Sequence, residues 1–222
     1  MAKTANQVIA AAQKTLLDDT GVRWPATELL GYLNDGQREI VTLKPEANTV
    51  ATPLQLAAGT RQALPPGGVM LLDVTRNLGT DGQTPGPVVA EIPQQTLDAV
   101  LPGWHMAAPS ATVLHFCFDE RDPKRFLVYP PQPSANRGYV EVLHSALPAD
   151  CTLEGALSLA DEYANLLGDY VLSRAYAKDT EASSDAKAAG YRQSFLQGLG
   201  VKEVAEAKNE PAKSRRPGPA QP

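Results

Sequence analysis

Few side chains in this 222-residue sequence are of a type that does chemistry, and their spacing decides what they could do. The three histidines, His105, His115 and His144, stand far apart, and none sits in a motif that pairs an imidazole with a nucleophile or a metal. The two cysteines, Cys117 and Cys151, lack the CxxC or Cys/His spacing of a tetrahedral zinc site. Cys117 lies in the apolar run VLHFCF, where a buried, inert thiol is expected. His115 and His144 fall in β-prone stretches and are expected to alternate outward. Three adjacent acidic pairs, Asp18-Asp19, Asp119-Glu120 and Asp161-Glu162, read as helix ends and turns, and nothing in their setting recommends shared acid and base roles in a hydrolysis. There is no GxSxG, Walker A, GxGxxG or HExxH signature. The expectation is a protein without catalytic residues, without a metal and without a cofactor.

One charged residue stands out by position. Arg174 sits on the apolar stripe of a helix, together with Tyr163, Leu166, Leu167, Tyr170 and Val171. A guanidinium on such a stripe needs carboxylates or carbonyls around it, unless its stem covers apolar surface and its head reaches water. Asp35 and Glu39, on another helix, are the candidate partners. Three placements stay open: an ion pair within the chain, a pair between subunits, or a surface arginine.

The elements that would position these groups fall into three regions. The first helix is expected over about 5–18, opened by Thr4 and Gln7 as a capping box and closed at Gly21. The second is expected over about 25–43, with Pro25 in its first turn. Its Gly36 falls on the buried face between Leu33 and Ile40, where close packing of a neighbouring helix would offset the helix-weakening effect of glycine. Residues 48–150 change pattern. Leu54 and Leu56 alternate with polar residues, and VMLLDV, PVVAEIP, TVLHFCF, RFLVYP and YVEVLHS are short β-prone runs bounded by Pro, Gly, Asn or Asp. Between them, Gln94 to Leu101 is expected to form a short helix or turn near Trp104. A third helix is expected over about 159–178, capped by Ser158 and Asp161, and a fourth over about 184–199, ended by Gly200.

The expected fold is therefore α+β. A helical bundle is made by N-terminal helices in 1–47 and C-terminal helices in 151–200. A small antiparallel β domain, 48–150, is inserted between them, and 201–222 form a flexible tail with almost no large apolar residues. With 43% hydrophobic and 20% charged residues the chain should bury a core without disulfides or metals. Its net charge of -5 disfavours wrapping nucleic acid, which needs a basic surface. The N-terminal MAKTANQV has no apolar segment of a secretory signal and no run reaches membrane-spanning length, so synthesis in the cytoplasm and no membrane partner are expected.

Four stretches together resemble a known family. RWPATELLGYLNDGQREIV (23–41) is similar to the opening helix of podovirus-type phage head-to-tail adaptor, or connector, proteins. GTRQALPPGGVMLLDVTRN (59–77) is similar to the family's strand-turn-strand segment, RDPKRFLVYPPQP (121–133) to its Tyr-Pro-Pro stretch, and DYVLSRAYAKDTEASSDAKAAGYRQSF (169–195) to its closing helical pair. The likeness covers about residues 4–200, in order. It implies a structural virion protein at the head-tail interface. Such a protein is a homo-oligomeric ring, a dodecamer, docked between the portal and the tail nozzle or tail tube protein, with a lumen through which DNA passes without specific binding. The tail lies outside this likeness; its basic residues Lys202, Lys208, Lys213, Arg215 and Arg216 are expected to bind an acidic surface of the portal. Two rival readings are a head-completion or tail-terminator protein of the same neck and a nucleic-acid-binding protein using the arginine-containing tail.

Overall fold

The fold is α+β, in a computed structural model that describes residues 2–178 and 182–209. The described residues divide into two compact units, one formed by those up to Ala47 together with those from Pro148 to Asn209, the other by Asn48–Leu147.

The first unit is helical. Helix α1 (Ala5–Thr15) opens with the expected capping box: Gln7 N–H donates to Thr4 Oγ1 and Thr4 N–H to the Gln7 side chain, at 3.3 and 3.2 Å. It ends before the expected stop. Leu17 takes φ of 56°, and Asp18 N–H reaches back to Gln13 O at 3.0 Å, so the helix closes on a left-handed leucine and not on Gly21. The Asp18 carboxylate then accepts N–H bonds from Val22, Arg23 and Trp24, which hold it below the usual carboxylate range and fix the turn into α2.

Helix α2 (Ala26–Leu43) has Pro25 as its N-cap, one position outside the helix. It buries Leu29, Leu33, Ile40 and Val41 completely. The segment after Leu147 is bound to this helix by two buried amides. Gln37, fully buried, accepts from Ser158 N–H (2.8 Å) and Leu159 N–H (3.3 Å), while Asn34 accepts from Cys151 N–H (3.1 Å) and donates to Cys151 O (3.3 Å).

Helix α4 (Ala164–Lys178) begins later than its apolar stripe suggests, after a single 3-10 turn over Asp161–Tyr163. The expected cap pair is corrected. Ser158 Oγ donates to Ala149 O at 2.6 Å and Asp161 accepts from Lys3 N–H at 2.7 Å, so both side chains are spent on tertiary contacts. Helix α5 (Ala182–Asn209) continues nine residues past Gly200, where the glycine was expected to end it. One glycine costs about 1 kcal/mol, and the following VKEVAEAK consists largely of good helix formers. These helices share one core that includes Ile9, Trp24, Leu29, Leu167, Val171 and Phe195.

The second unit holds two sheets. Strands β1 (Thr49–Gln55), β7 (Tyr139–Ala146) and β3 (Gly68–Asn77) form one, in the order β1-β7-β3. Strands β2 (Gly59–Ala63), β6 (Arg125–Gln132), β5 (His115–Phe118) and β4 (Ala90–Glu91) form the other, in the order β2-β6-β5-β4. All pairs are antiparallel except the two-residue β4–β5 pair, which is parallel. Period-two alternation points Val140, Val142, Phe116, Phe126 and Val128 into one core between the sheets. The outward face of the second sheet is covered in turn. Helix α3 (Gln94–Val100) and the turn at Trp104 set Leu97 and Trp104 against Cys117, Leu127 and Tyr129. Asn77 ties loop to strand here, donating to Pro87 O and Val113 O and accepting from Val113 N–H at 2.8–3.0 Å.

Candidate functional site

A cluster of charged and aromatic groups, Glu39, Tyr170, Arg192 and Phe195, lies where α2, α4 and α5 meet. Gly36 lets α4 approach α2: a Cβ there would lie 2.8 Å from Tyr170 Cδ1 and 3.2 Å from Leu167 Cδ2. The Tyr170 ring meets Phe195 edge-on, with centroids 5.2 Å apart, and its hydroxyl bonds to Glu39. Glu39 also pairs with Arg192, whose guanidinium lies over both the Tyr170 and Phe195 rings at 5.6 and 5.3 Å. The Arg192 hydrogen bond is the main cause that holds the Glu39 carboxyl below its ordinary value; burial opposes it, and the bond from Tyr170 assists.

Arg174 does not form the ion pair considered above. It is exposed, stacks over the Tyr32 ring at 5.5 Å and makes no salt bridge among the described residues. Asp35 pairs instead with Arg38, at 3.2 Å, and Arg38 also reaches Asp150. The reason is geometric. Arg192, one turn from Phe195, reaches Glu39 across the seam, and Tyr32, bonded to Glu28 at 2.6 Å, offers Arg174 an aromatic face. In sequence Arg192 stands between Tyr191 and Phe195 on the fourth helix, where the aromatic side chains mark the face that packs. Its i,i+3 spacing from Phe195 was the available signal.

Gly36→Ala is expected to destabilise the helical unit by about 1–3 kcal/mol. The tyrosine that must yield is held by Glu39, Phe195 and Arg192 together, so overpacking outweighs the gain in helix propensity. Denaturant unfolding followed by helical circular dichroism checks this, and a more stable variant would show that α4 can shift. A second expectation concerns acid. A carboxyl depressed in the fold stabilises it above the unfolded value, near 4.5, and that contribution is lost as pH falls through the folded value. Glu39→Gln should therefore lose less stability than wild type between neutral pH and about pH 3. Denaturation midpoints at both ends of that window give the comparison, and equal losses would remove Glu39 from the acid response.

The remaining residues of chemical type are placed as follows. His144 faces inward, 3% exposed and on the same side of β7 as Val140 and Val142, which corrects the expected outward placement. The parity of YVEVLHS already put all three on one face. His115 is half-buried over Tyr129. His105 stacks on Trp104 with centroids 3.7 Å apart and bonds to Thr60 Oγ1 at 2.9 Å. Cys117 is buried, and its thiol is pushed up to about 11, mainly by desolvation. No cluster of three or more His, Cys, Asp or Glu that could hold a metal occurs among the described residues. None of the described helices is long and apolar enough to cross a membrane. Lys202 and Lys208 lie on the last turns of α5, and Lys213, Arg215 and Arg216 lie outside the described residues.

No curated protein matches the sequence. The sequence profile described as SU10 adaptor protein matches residues 3–220, nearly the whole chain, with both units included. The chain belongs to this family of structural proteins of the phage head-to-tail junction.

Proposed function

We propose that the protein forms a ring, a dodecamer, between the portal and the tail of a tailed phage, and that DNA passes through its lumen. The observation that carries this reading is the extent of the family match, which runs from residue 3 through both units and past the last described turn of α5. A ring closes by rotation, so each copy must offer two different faces. The helical unit is suited to this because its four longer helices share one rigid core. The β unit is the candidate for the tail-facing side. Its segment 99–114 carries no Asp, Glu, Lys or Arg and exposes Val100, Leu101 and Met106. Synthesis would occur in the host cytoplasm, with assembly onto the virion.

The C-terminal residues Lys202, Lys208, Lys213, Arg215 and Arg216 are proposed to dock on an acidic surface of the portal. Tethering many copies on one symmetric platform adds effective concentration to each weak contact. A dilute chain would then stay monomeric and close into a ring only on the portal. Binding to purified portal and to purified tail nozzle, for the full chain and for a chain ending at Gly200, tests both parts. The full chain should bind portal and the shortened chain should bind it far more weakly. Unchanged binding removes the docking role, and a full chain that binds neither partner contradicts the adaptor role.

A further inference from the structure

Helix α4 carries, on two of its faces, charged groups that make no salt bridge among the described residues. On one face Asp169 lines a groove of about 460 Å³ between α1 and α4, walled by Ala12, Ala164, Gly168 and Leu172. The carboxyl is half-buried and has neither an ion pair nor a hydrogen bond among the described residues. Lys3 lines the same groove without pairing to it. On another face Arg174 lines a groove of about 320 Å³ with Glu39, Ala177, Ala188 and Arg192. Glu39 is committed to Arg192 and Tyr170, so this second groove holds two guanidinium groups and one carboxylate. Five residues apart on a helix of 3.6 residues per turn, Asp169 and Arg174 point about 140° apart and cannot meet within one chain.

We infer that Arg174 of one copy enters the α1/α4 groove of the next and pairs with its Asp169, joining the helical units head to tail. The small side chains of the groove leave room for a long arginine, and Leu172 and Val8 offer apolar cover for its stem. Burial without a cation holds the Asp169 carboxyl above the usual carboxylate range, and a guanidinium from a neighbour relieves that penalty. Heterologous contact needs two unlike surfaces on each subunit. Here both sit on one helix, with opposite charges that make no salt bridge among the described residues, the Arg174 guanidinium lying exposed over the Tyr32 ring. The inference rests on the ring reading given above, and its test separates the two.

R174D makes both positions negative and D169R makes both positive, so each variant repels its own kind and attracts the other. Each should need about 30-fold or more protein than wild type to half-saturate purified portal. An equimolar mixture of the two should return close to the wild-type value. Variants that each saturate portal as wild type does would overturn the contact and leave the ring standing. A mixture that does not recover would overturn it as well, since the substitutions would then act on the fold. Wild-type protein that forms no ring on portal would overturn this inference together with the function proposed above. If circular dichroism shows that D169R is unfolded, a mixture of R174C and D169C decides. A cross-link by a bismaleimide of about 10 Å span between those two positions, identified in the joined peptides from portal-bound rings, is expected, because a contact of arginine length holds the two Cα atoms too far apart for a direct disulfide. Portal-bound rings without that cross-link would overturn the contact.

Discussion

Replacing Phe195 by alanine is expected to destabilise the helical unit by about 3–5 kcal/mol. Phe195 is 0% exposed and heads the fully buried side chains in size among the described residues. It touches the Tyr170 ring edge-on and carries the Arg192 guanidinium, so its loss opens a cavity where α2, α4 and α5 meet. The surrounding groups cannot collapse into that space freely, because Gly36 already brings Tyr170 against α2. The Glu39–Arg192 pair loses its aromatic support in the same step. Hydrogen exchange of the two units gives the decisive comparison. Amides of α2, α4 and α5 should exchange much faster, and those of β6 and β7, whose side chains belong to separate cores, should not change. Slow exchange in α5 of the variant would show that this helix is held by something other than the Phe195 contact.

Gln37→Leu is the second large effect, about 2–3 kcal/mol. The substitution conserves volume, so packing is not the issue. Gln37 Oε1 is the acceptor for two consecutive backbone N–H groups, Ser158 and Leu159, and its Nε2 donates to Asn34 Oδ1 at 3.1 Å. Leucine leaves the buried Leu159 N–H without an acceptor and Asn34 without one of its donors. The segment 149–159 would loosen from α2, and with it the start of α4. Protease sensitivity of this segment, together with the urea midpoint, checks the prediction. A variant as resistant as wild type would mean that Asn34 alone holds the segment through its bonds to Cys151.

What the sequence made legible was mostly local. Thr4 and Gln7 announce α1 because a capping box is written within four residues. The strands β5, β6 and β7 are legible because alternation and bounding turns are short-range signals. The change from helix to strand near residue 48 and back near 148 could be read from proline content and β-branched runs.

Contacts between distant segments were much less legible. Gln37 looks like a solvent-facing polar residue until the segment 121 positions later supplies two donors. An apolar stripe assigned Arg174 to a face but could not rank Arg174 against Arg192 as the partner of Glu39, since that depends on how α5 crosses α4. Asp169 was invisible for the same reason. It belongs to a groove that exists only once α1 lies beside α4. The family was legible because four stretches resemble it in the correct order, and its sequence profile spans both units.

As proposed above, this chain acts by shape and by repeated contact with copies of itself at the head-tail junction. Electron microscopy of the full chain bound to purified portal, with its rotational symmetry determined, tests it most directly. A closed ring of copies on one end of the portal, twelve in number, with an open axial channel, is the expected result. Single copies scattered without symmetry, or a portal left bare, would contradict it.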